Sequence, residues 1–224
     1  MYRGHRLPHE TISHSVWLYH RFTLSFRDVE DLLAERGVIV SYEAIRLWCR
    51  KFGPAFARSL RRRQSDVWHS DEVFIRIRGE RHYLWRAVDQ DGDVLDILVT
   101  RRRDARAAKR FFRKLLQGQG GQPWQLVSDK LRRYAAACRA LGLSATHRTG
   151  RYKNNRAEVS HQHSTERERQ MRRFKSAAQV QQFLAVHGAV HTSCRLARHR
   201  LKAIHHRLLR EQAFTTWKTA TAVR

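Results

Sequence analysis

Apolar side chains in the first sixty residues recur at the spacing of amphipathic helices. Residues 9–22 carry them every three to four positions, which predicts a first helix. Ser25 and Ser41 are good N-caps for two further helices, and Gly37 fits the left-handed position at which the second helix ends. Two capped helices joined by a short glycine turn predict a helix-turn-helix.

The third helix has side chains suited to DNA near its start. In a helix-turn-helix the second helix of the motif enters the major groove with its N-terminal residues against the base edges. The candidate DNA contacts are therefore Ser41, Tyr42, Arg46, Arg50 and Lys51. A helical hairpin with merely solvated charges is the alternative that this pattern leaves open.

After residue 65 the spacing changes from helical to alternating. Strands are predicted at 67–77, 81–89, 94–100 and 124–128, with helices from Asp104 and at 130–141. A turn is expected at Gly79 and Glu80, and an Asp-Gly turn precedes the third strand. We therefore predict an N-terminal all-α domain (1–64) and an α/β domain (65–224). The latter has the ribonuclease-H-like order β-β-β-α-β-α-β-α followed by C-terminal helices.

The later helices and the tryptophans are assigned to packing. Apolar stripes in the two C-terminal helices are expected to pack on the sheet or on a partner subunit; they comprise Val180, Phe183 and Leu184, then Leu208, Leu209 and Phe214. Core positions are predicted for Trp17, Trp48, Trp68, Trp85, Trp124 and Trp217.

The charge of the chain strengthens the DNA hypothesis. The net charge of +25 is distributed as +6 over residues 1–65, +3 over 66–128 and +16 over 129–224. A field this positive favours a polyanion as partner. The chain has no apolar run long enough to cross a membrane, no signal-peptide pattern, and three widely spaced cysteines. We expect a cytoplasmic, nucleoid-associated protein without a membrane partner.

Three carboxylates stand where the predicted fold brings strands and a late helix together. Asp71 lies within the first strand, Asp129 ends the fourth, and Glu158 begins a helix. A carboxylate cluster requires cations, and hard oxygen ligands favour Mg²⁺ or Mn²⁺. Two such ions serve phosphodiester displacement. Helix capping is the alternative for Asp129 and for Glu158, whereas strands deplete aspartate, which leaves Asp71 with the weakest alternative.

Several segments together resemble one known family. They are SYEAIRLWCRKFGP (41–54), WHSDE (68–72), HYLWRAVDQDGDVLD (82–96), RRRDARAAKRFFRKLL (101–116), SDK (128–130), RYKNNRAEVSHQ (151–162) and RERQMRRFKS (167–176). These segments are similar to the transposases of the IS-six family of bacterial insertion sequences, which have an integrase-type DDE core.

The resemblance implies a function and a set of site residues. Asp71, Asp129 and Glu158 would be the catalytic triad holding two divalent metal ions. The implied reaction nicks the ends of the element and transfers them into target DNA. The helix-turn-helix would bind the terminal inverted repeats, and acting on two ends implies a homodimer or larger assembly.

Further site residues are predicted around the triad. His69 and His161 are candidates to orient the carboxylates through hydrogen bonds. Additional DNA contacts are predicted at Arg61, Arg62, Arg63, Lys130, Arg156, Arg169, Arg172 and Arg173.

The sequence departs from the family at two positions. Thr165 stands seven residues after Glu158, where the family carries Lys or Arg, and neither Arg167 nor Arg169 lies where it would replace that cation. Ser70 replaces an apolar residue, which predicts weaker burial of its strand. A non-catalytic DNA-binding regulator and an ordinary ribonuclease-H-like nuclease therefore stay open as alternatives.

Overall fold

The computed structural model describes residues 2–60, 66–128, 132–149, 167–169, 171, 174–194 and 202–222. The elements in chain order are α1 (His9–Arg21), α2 (Phe26–Ala34), α3 (Tyr42–Leu60), β1 (Val67–Ile77), β2 (Glu80–Val88), β3 (Val94–Thr100), α4 (Ala105–Gln119), β4 (Gln125–Ser128), α5 (Arg132–Ala140), β5 (Thr146–Thr149), α6 (Ala177–Ser193) and α7 (Ala203–Thr221). None of these helices, within the described ranges, is long and apolar enough to span a bilayer.

Tertiary contacts group the chain into two units. The helical unit comprises Met1–Arg61 and Ala185–Arg224, and the sheet unit comprises Arg62–Leu184. The C-terminal residues thus group with the N-terminal helices, while the two domains expected at 1–64 and 65–224 stay a prediction.

The helical unit follows its predicted caps. The Ser25 hydroxyl accepts a hydrogen bond from the Asp28 N–H at 3.1 Å, and the Asp28 carboxylate accepts one from the Ser25 N–H at 2.7 Å. This reciprocal capping fixes the start of α2. Gly37 has a φ of +74° in the turn that follows α2, and the Ser41 hydroxyl accepts from the Ala44 N–H at 3.3 Å at the start of α3. The two predicted helices and their caps are confirmed.

Helix α7 joins this unit through its C-terminal half. The Trp217 ring lies 5.5 Å from the Phe56 ring of α3, and the Tyr2 hydroxyl donates to the Thr221 carbonyl at 2.7 Å. Leu208 and Leu209 are exposed, and the partly exposed Phe214 ring lies 5.4 Å from the Trp17 ring of α1. The expected packing of this stripe on the sheet is therefore not seen, and its packing on a partner subunit stays a prediction. In α6, by contrast, Val180, Phe183 and Leu184 are buried.

Within the described ranges, the sheet unit contains five strands in the order β3-β2-β1-β4-β5. Strand β2 is antiparallel to both of its neighbours, β1 and β3. Strands β3, β4 and β5 therefore run in the same direction as β1. The bounds predicted for β1 and β3 are confirmed, and those of β2 and β4 differ by one residue. This order and these directions are those of the ribonuclease-H-like fold. The helix expected after Glu158 lies outside the described residues.

Helices α4 and α5 cover one face of the sheet with an aromatic core. It contains Trp68, Trp85, Phe111, Phe112 and Tyr134. Asp104 begins α4 by accepting the Ala107 N–H at 2.8 Å. Trp124 is 66% exposed, so its predicted core position is wrong, whereas the other five tryptophans are buried. Trp124 immediately precedes β4 and therefore lies outside the strand that the core covers.

Candidate active site

Asp71 lies on the central strand of the sheet and is buried. A buried carboxylate needs a compensating charge or hydrogen bonds, because leaving water without them costs several kcal/mol (roughly 3–5 when one partner of a buried pair is removed). The structure supplies a cation on the neighbouring strand.

That cation is Arg86, which faces Asp71 across the β1–β2 pair. Directly opposed side chains share one face of an antiparallel pair, with Cβ atoms about 5 Å apart. Burial lowers the pKa of Arg86 to about 10, and the negative charge of Asp71 acts in the opposite direction. Arg86 therefore stays charged at neutral pH and holds a positive charge against the Asp71 carboxylate.

Sequence reasoning missed Arg86 because its position depends on the hairpin register. The turn lies at Arg78 and Gly79, both with positive φ (52° and 85°), so that Ile77 pairs with Glu80 and Asp71 with Arg86. A turn with two positive φ values favours Asn-Gly, and arginine in its first position is not a typical signal. The turn predicted at Gly79 and Glu80 would have paired Asp71 with Val88.

Strand β1, which carries the predicted catalytic residue Asp71, is the parallel neighbour of β4. In this parallel pair Ser70 is the register partner of Ser128, the last residue of β4. Asp71 and Asp129 are the next residues in the sequence. Asp129, Glu158 and His161 themselves lie outside the described residues. Within the described part of the chain, no three His, Cys, Asp or Glu side chains are grouped as metal ligands.

A second ionic cluster lies on the opposite face of β1. Because side chains alternate along a strand, Glu72 points away from Asp71 and into the α4–α5 core. Its carboxylate pairs with Arg103 and accepts a hydrogen bond from the Tyr134 hydroxyl. Burial and then the charge of Glu72 raise the pKa of Tyr134 well above its usual value, while Ser70 acts in the opposite direction.

This cluster explains how the strand tolerates Ser70. Ser70 is fully buried beside the Tyr134 hydroxyl, and the residues on either side of it in β1 are buried too. The expectation that Ser70 weakens the burial of this strand is wrong, because the core on this face contains polar partners. His69, predicted to orient a carboxylate, is buried on the same face as Asp71.

The predicted DNA contacts of α3 are exposed or half-buried, and several have partners within the chain. The guanidinium of Arg27 lies 4.4 Å from the centre of the Tyr42 ring. Arg46 forms an ion pair with Glu43, which lowers the pKa of Glu43 and raises that of Arg46. Lys51 donates to His5 Nε2 at 2.9 Å, Arg50 is exposed, and Ser41 caps the helix.

Only some of the other residues considered for DNA contacts lie in the described part of the chain. Arg169 is exposed, whereas Arg167 is buried with its guanidinium 5.7 Å from the centre of the Phe183 ring, so it is not available to DNA. Outside the described residues lie Arg61, Arg62, Arg63, Lys130, Arg156, Thr165, Arg172 and Arg173.

Sequence comparisons agree with the class of protein that the sheet order defines. The family model described as a DDE domain, of the IS240 transposase type, matches residues 65–196. A Staphylococcus aureus transposase for insertion sequence-like element IS431mec is 31% identical over 170 residues, which cover 72% of this chain and 75% of the relative. The S. aureus transposase for IS257 in transposon Tn4003 is 30% identical over the same shares. The chain belongs to the DDE transposases of the IS-six type, and the resemblance is confirmed.

Solved structures with lower similarity include two retroviral integrase cores. The HTLV-2 integrase catalytic core domain in complex with magnesium has 13% identity, covers 60% of this chain and 88% of that chain, and superposes with a TM-score of 0.42. The BIV integrase catalytic core domain has 18% identity, coverages of 69% and 99%, and a TM-score of 0.39.

Proposed function

We propose that this chain is an active transposase that binds the terminal inverted repeats of its insertion sequence and carries out metal-dependent nicking and strand transfer. Membership of the family gives DNA transposition as the general function. The register of β1 against β4 carries the finer proposal, because Asp71 and Asp129 directly follow the paired residues Ser70 and Ser128.

In this proposal Asp71, Asp129 and Glu158 hold two Mg²⁺ or Mn²⁺ ions. Their carboxylate oxygens are the hard donors that these cations prefer. Such ions, when bound, activate a water or a 3′-hydroxyl and stabilise the leaving oxygen of a phosphodiester. Arg86 places a positive charge opposite Asp71 on the neighbouring strand, and His69 lies on the same face of β1 as Asp71.

The helix-turn-helix recognises the repeats. The start of α3 presents Tyr42, Arg46 and Arg50 with exposed or half-buried side chains, which supports base and phosphate contacts there. Because a transposase joins two element ends to a target, we infer a homodimer or larger assembly on DNA.

Strand transfer of a pre-cleaved terminal-repeat oligonucleotide with Mg²⁺ or Mn²⁺ tests the proposal. We expect joining by the wild type and at least a hundredfold loss in Asp71→Asn, Asp129→Asn and Glu158→Gln, from the roughly 10²–10⁴-fold contributions typical of groups at reacting centres. Asp66→Asn makes the same chemical change at an exposed residue five positions before Asp71 and should leave joining unchanged.

The alternatives give different results in the same assay. Sequence-specific binding without joining under either metal would indicate a non-catalytic regulator, and cleavage without end specificity would indicate a general nuclease. Thr165→Arg should increase joining by restoring a cation seven residues after Glu158; an unchanged or lower rate would contradict the placement of that cation.

A further inference from the structure

The first half of α7 is a surface segment that the proposed function leaves unused. We call residues 202–212 the basic arm. No residue from 203 to 212 is buried, whereas Ala213, Trp217 and Thr221 in the second half are. The helix is therefore anchored to the helical unit at one end and solvated over about three turns at the other.

A solvated segment of this length receives little support for its helical structure. Helices shorter than about 12–15 residues are marginal in water by themselves, and packing of one face normally stabilises them. The anchored half of α7 provides a formed helix from which the arm can extend. Within the arm, Arg210 forms a hydrogen bond with His206 Nδ1 at 3.3 Å. The surface of the arm itself is exposed or half-buried among the described residues.

The arm is cationic, and some of its basic residues lie on the same helix face as the residues that anchor α7 to the helical unit. It holds Lys202, Arg207 and Arg210 against the single acid Glu211, together with His205 and His206. Residues three, four and seven apart share a helix face, so His206 and Arg210 continue the line of Ala213 and Trp217. The face that is apolar where it packs on the helical unit becomes basic where it extends beyond the packed residues.

We propose that the basic arm binds the phosphate backbone of DNA, as a second contact of the unit that contains the helix-turn-helix. A polyanion complements this charge, whereas a second copy of the arm would oppose like charges. Ten helical residues extend about 15 Å, which spans about four phosphates of one strand. Phosphate contacts position a protein without reading sequence, so the arm adds affinity and α3 supplies preference. This inference rests on the proposed function.

Fluorescence anisotropy with full-length protein tests the arm. The probes are a terminal-repeat duplex and a scrambled duplex of equal length, each titrated at several salt concentrations. The variants are Arg207→Gln, Arg210→Gln and their combination. Lys218→Gln, which removes one exposed charge from the anchored half, is the matched control, and Glu211→Gln removes the acid of the arm.

The logarithm of the association constant K falls linearly as log salt rises, so the slope is negative. We expect each arginine variant to make this slope shallower by about 0.9, and the double variant by about 2. At 0.1 M salt the double variant should bind both duplexes about tenfold or more weakly, because released counterions drive such contacts. The ratio of affinities for the two duplexes should not change. Glu211→Gln should strengthen binding to both, and Lys218→Gln should leave the slope as it is.

Three outcomes would overturn the inference. An unchanged slope in the double variant, with wild-type melting temperature, removes the arm from the DNA interface. A loss of preference for the terminal repeat places it in sequence recognition instead. The mass of the protein in solution is measured by light scattering. If this mass falls in the double variant Ile204→Ser/Leu208→Ser while the arginine variants bind DNA normally, the surface belongs to an interface with a second copy of the chain. Failure of the wild type to bind either duplex would contradict the proposed function itself.

Discussion

The two units of this protein use their charged side chains in opposite ways. In the sheet unit the carboxylates of Glu72 and Asp96 are 0% and 2% exposed and pair with Arg103 and Lys114. In the helical unit the carboxylates of Glu43 and Glu35 are 47% and 69% exposed in their pairs with Arg46 and Arg36. The buried pairs of the sheet unit fix geometry, whereas these pairs of the helical unit stay accessible to a ligand.

The difference follows from the cost of burying charge. A buried ion pair is not a strong net contribution to stability, but removing one partner leaves an uncompensated charge in a medium of low polarity. An exposed pair contributes little, since water and salt screen it. Substitutions in the buried pairs of the sheet unit should therefore affect folding, and those in the exposed pairs of the helical unit should affect binding.

The largest effect on folding is expected for Arg86→Met. It leaves the buried Asp71 carboxylate without its cross-strand cation, which should lower the free energy of unfolding by about 3–5 kcal/mol. Urea denaturation measures this change. The double variant Asp71→Asn/Arg86→Met removes both charges and should lose less than the sum of the two single variants. Additive losses would show that the two side chains are not coupled.

Two arginines close together in the sequence provide the next test. Arg103→Gln removes the cation beside the buried Glu72 carboxylate and should cost about 3 kcal/mol. Arg101→Gln breaks the exposed pair with Glu80 and should cost less than about 1 kcal/mol. Equal losses in thermal or urea unfolding would contradict the assignment of Glu72 to the core.

Tyr134→Phe should have a smaller effect that depends on pH. At pH 7 it removes a hydrogen bond to the Glu72 carboxylate, which is worth about 1.5–3 kcal/mol. The folded state raises the pKa of Tyr134 above the unfolded value of 10.0, so the wild type keeps this contribution below pH 10 and loses it as the pH rises further. The stability difference between wild type and variant should therefore shrink above pH 10, and a constant difference would argue against burial of the hydroxyl.

The smallest effect on folding is expected for Glu43→Gln in the helical unit. This variant releases Arg46 from its ion pair, so stability should not change measurably, while the slope of log K against log salt for DNA should steepen by no more than about 1. Glu35→Gln makes the same charge change at the end of α2 and serves as control. Equal effects of both variants on DNA binding would show a general charge effect instead of a contact by Arg46.

The elements of this fold could be predicted because their signals are local. Ser25 and Ser41 cap helices through residues three positions away, and β1 and β3 have the bounds that alternation indicates. The Asp71 carboxylate could be predicted to need compensation, since it lies within a predicted strand, where aspartate is depleted. Arg86 could not be predicted as its partner, because a shift of the turn by one residue moves every cross-strand pair by two.

The sequence by itself determined most of the helices, the first four strands, the motifs of the family and the candidate catalytic carboxylates, because these depend on short-range hydrogen bonding, side-chain alternation and residue identity. Strand β5 had no such local signal. Tertiary structure decided which charges meet. Glu72 finds Arg103 and Tyr134 across 31 and 62 residues, and the C-terminal residues join the N-terminal helices. Such contacts depend on strand register and on the packing of segments that are distant in the sequence. The free energy of that packing cannot be predicted from a local sequence pattern.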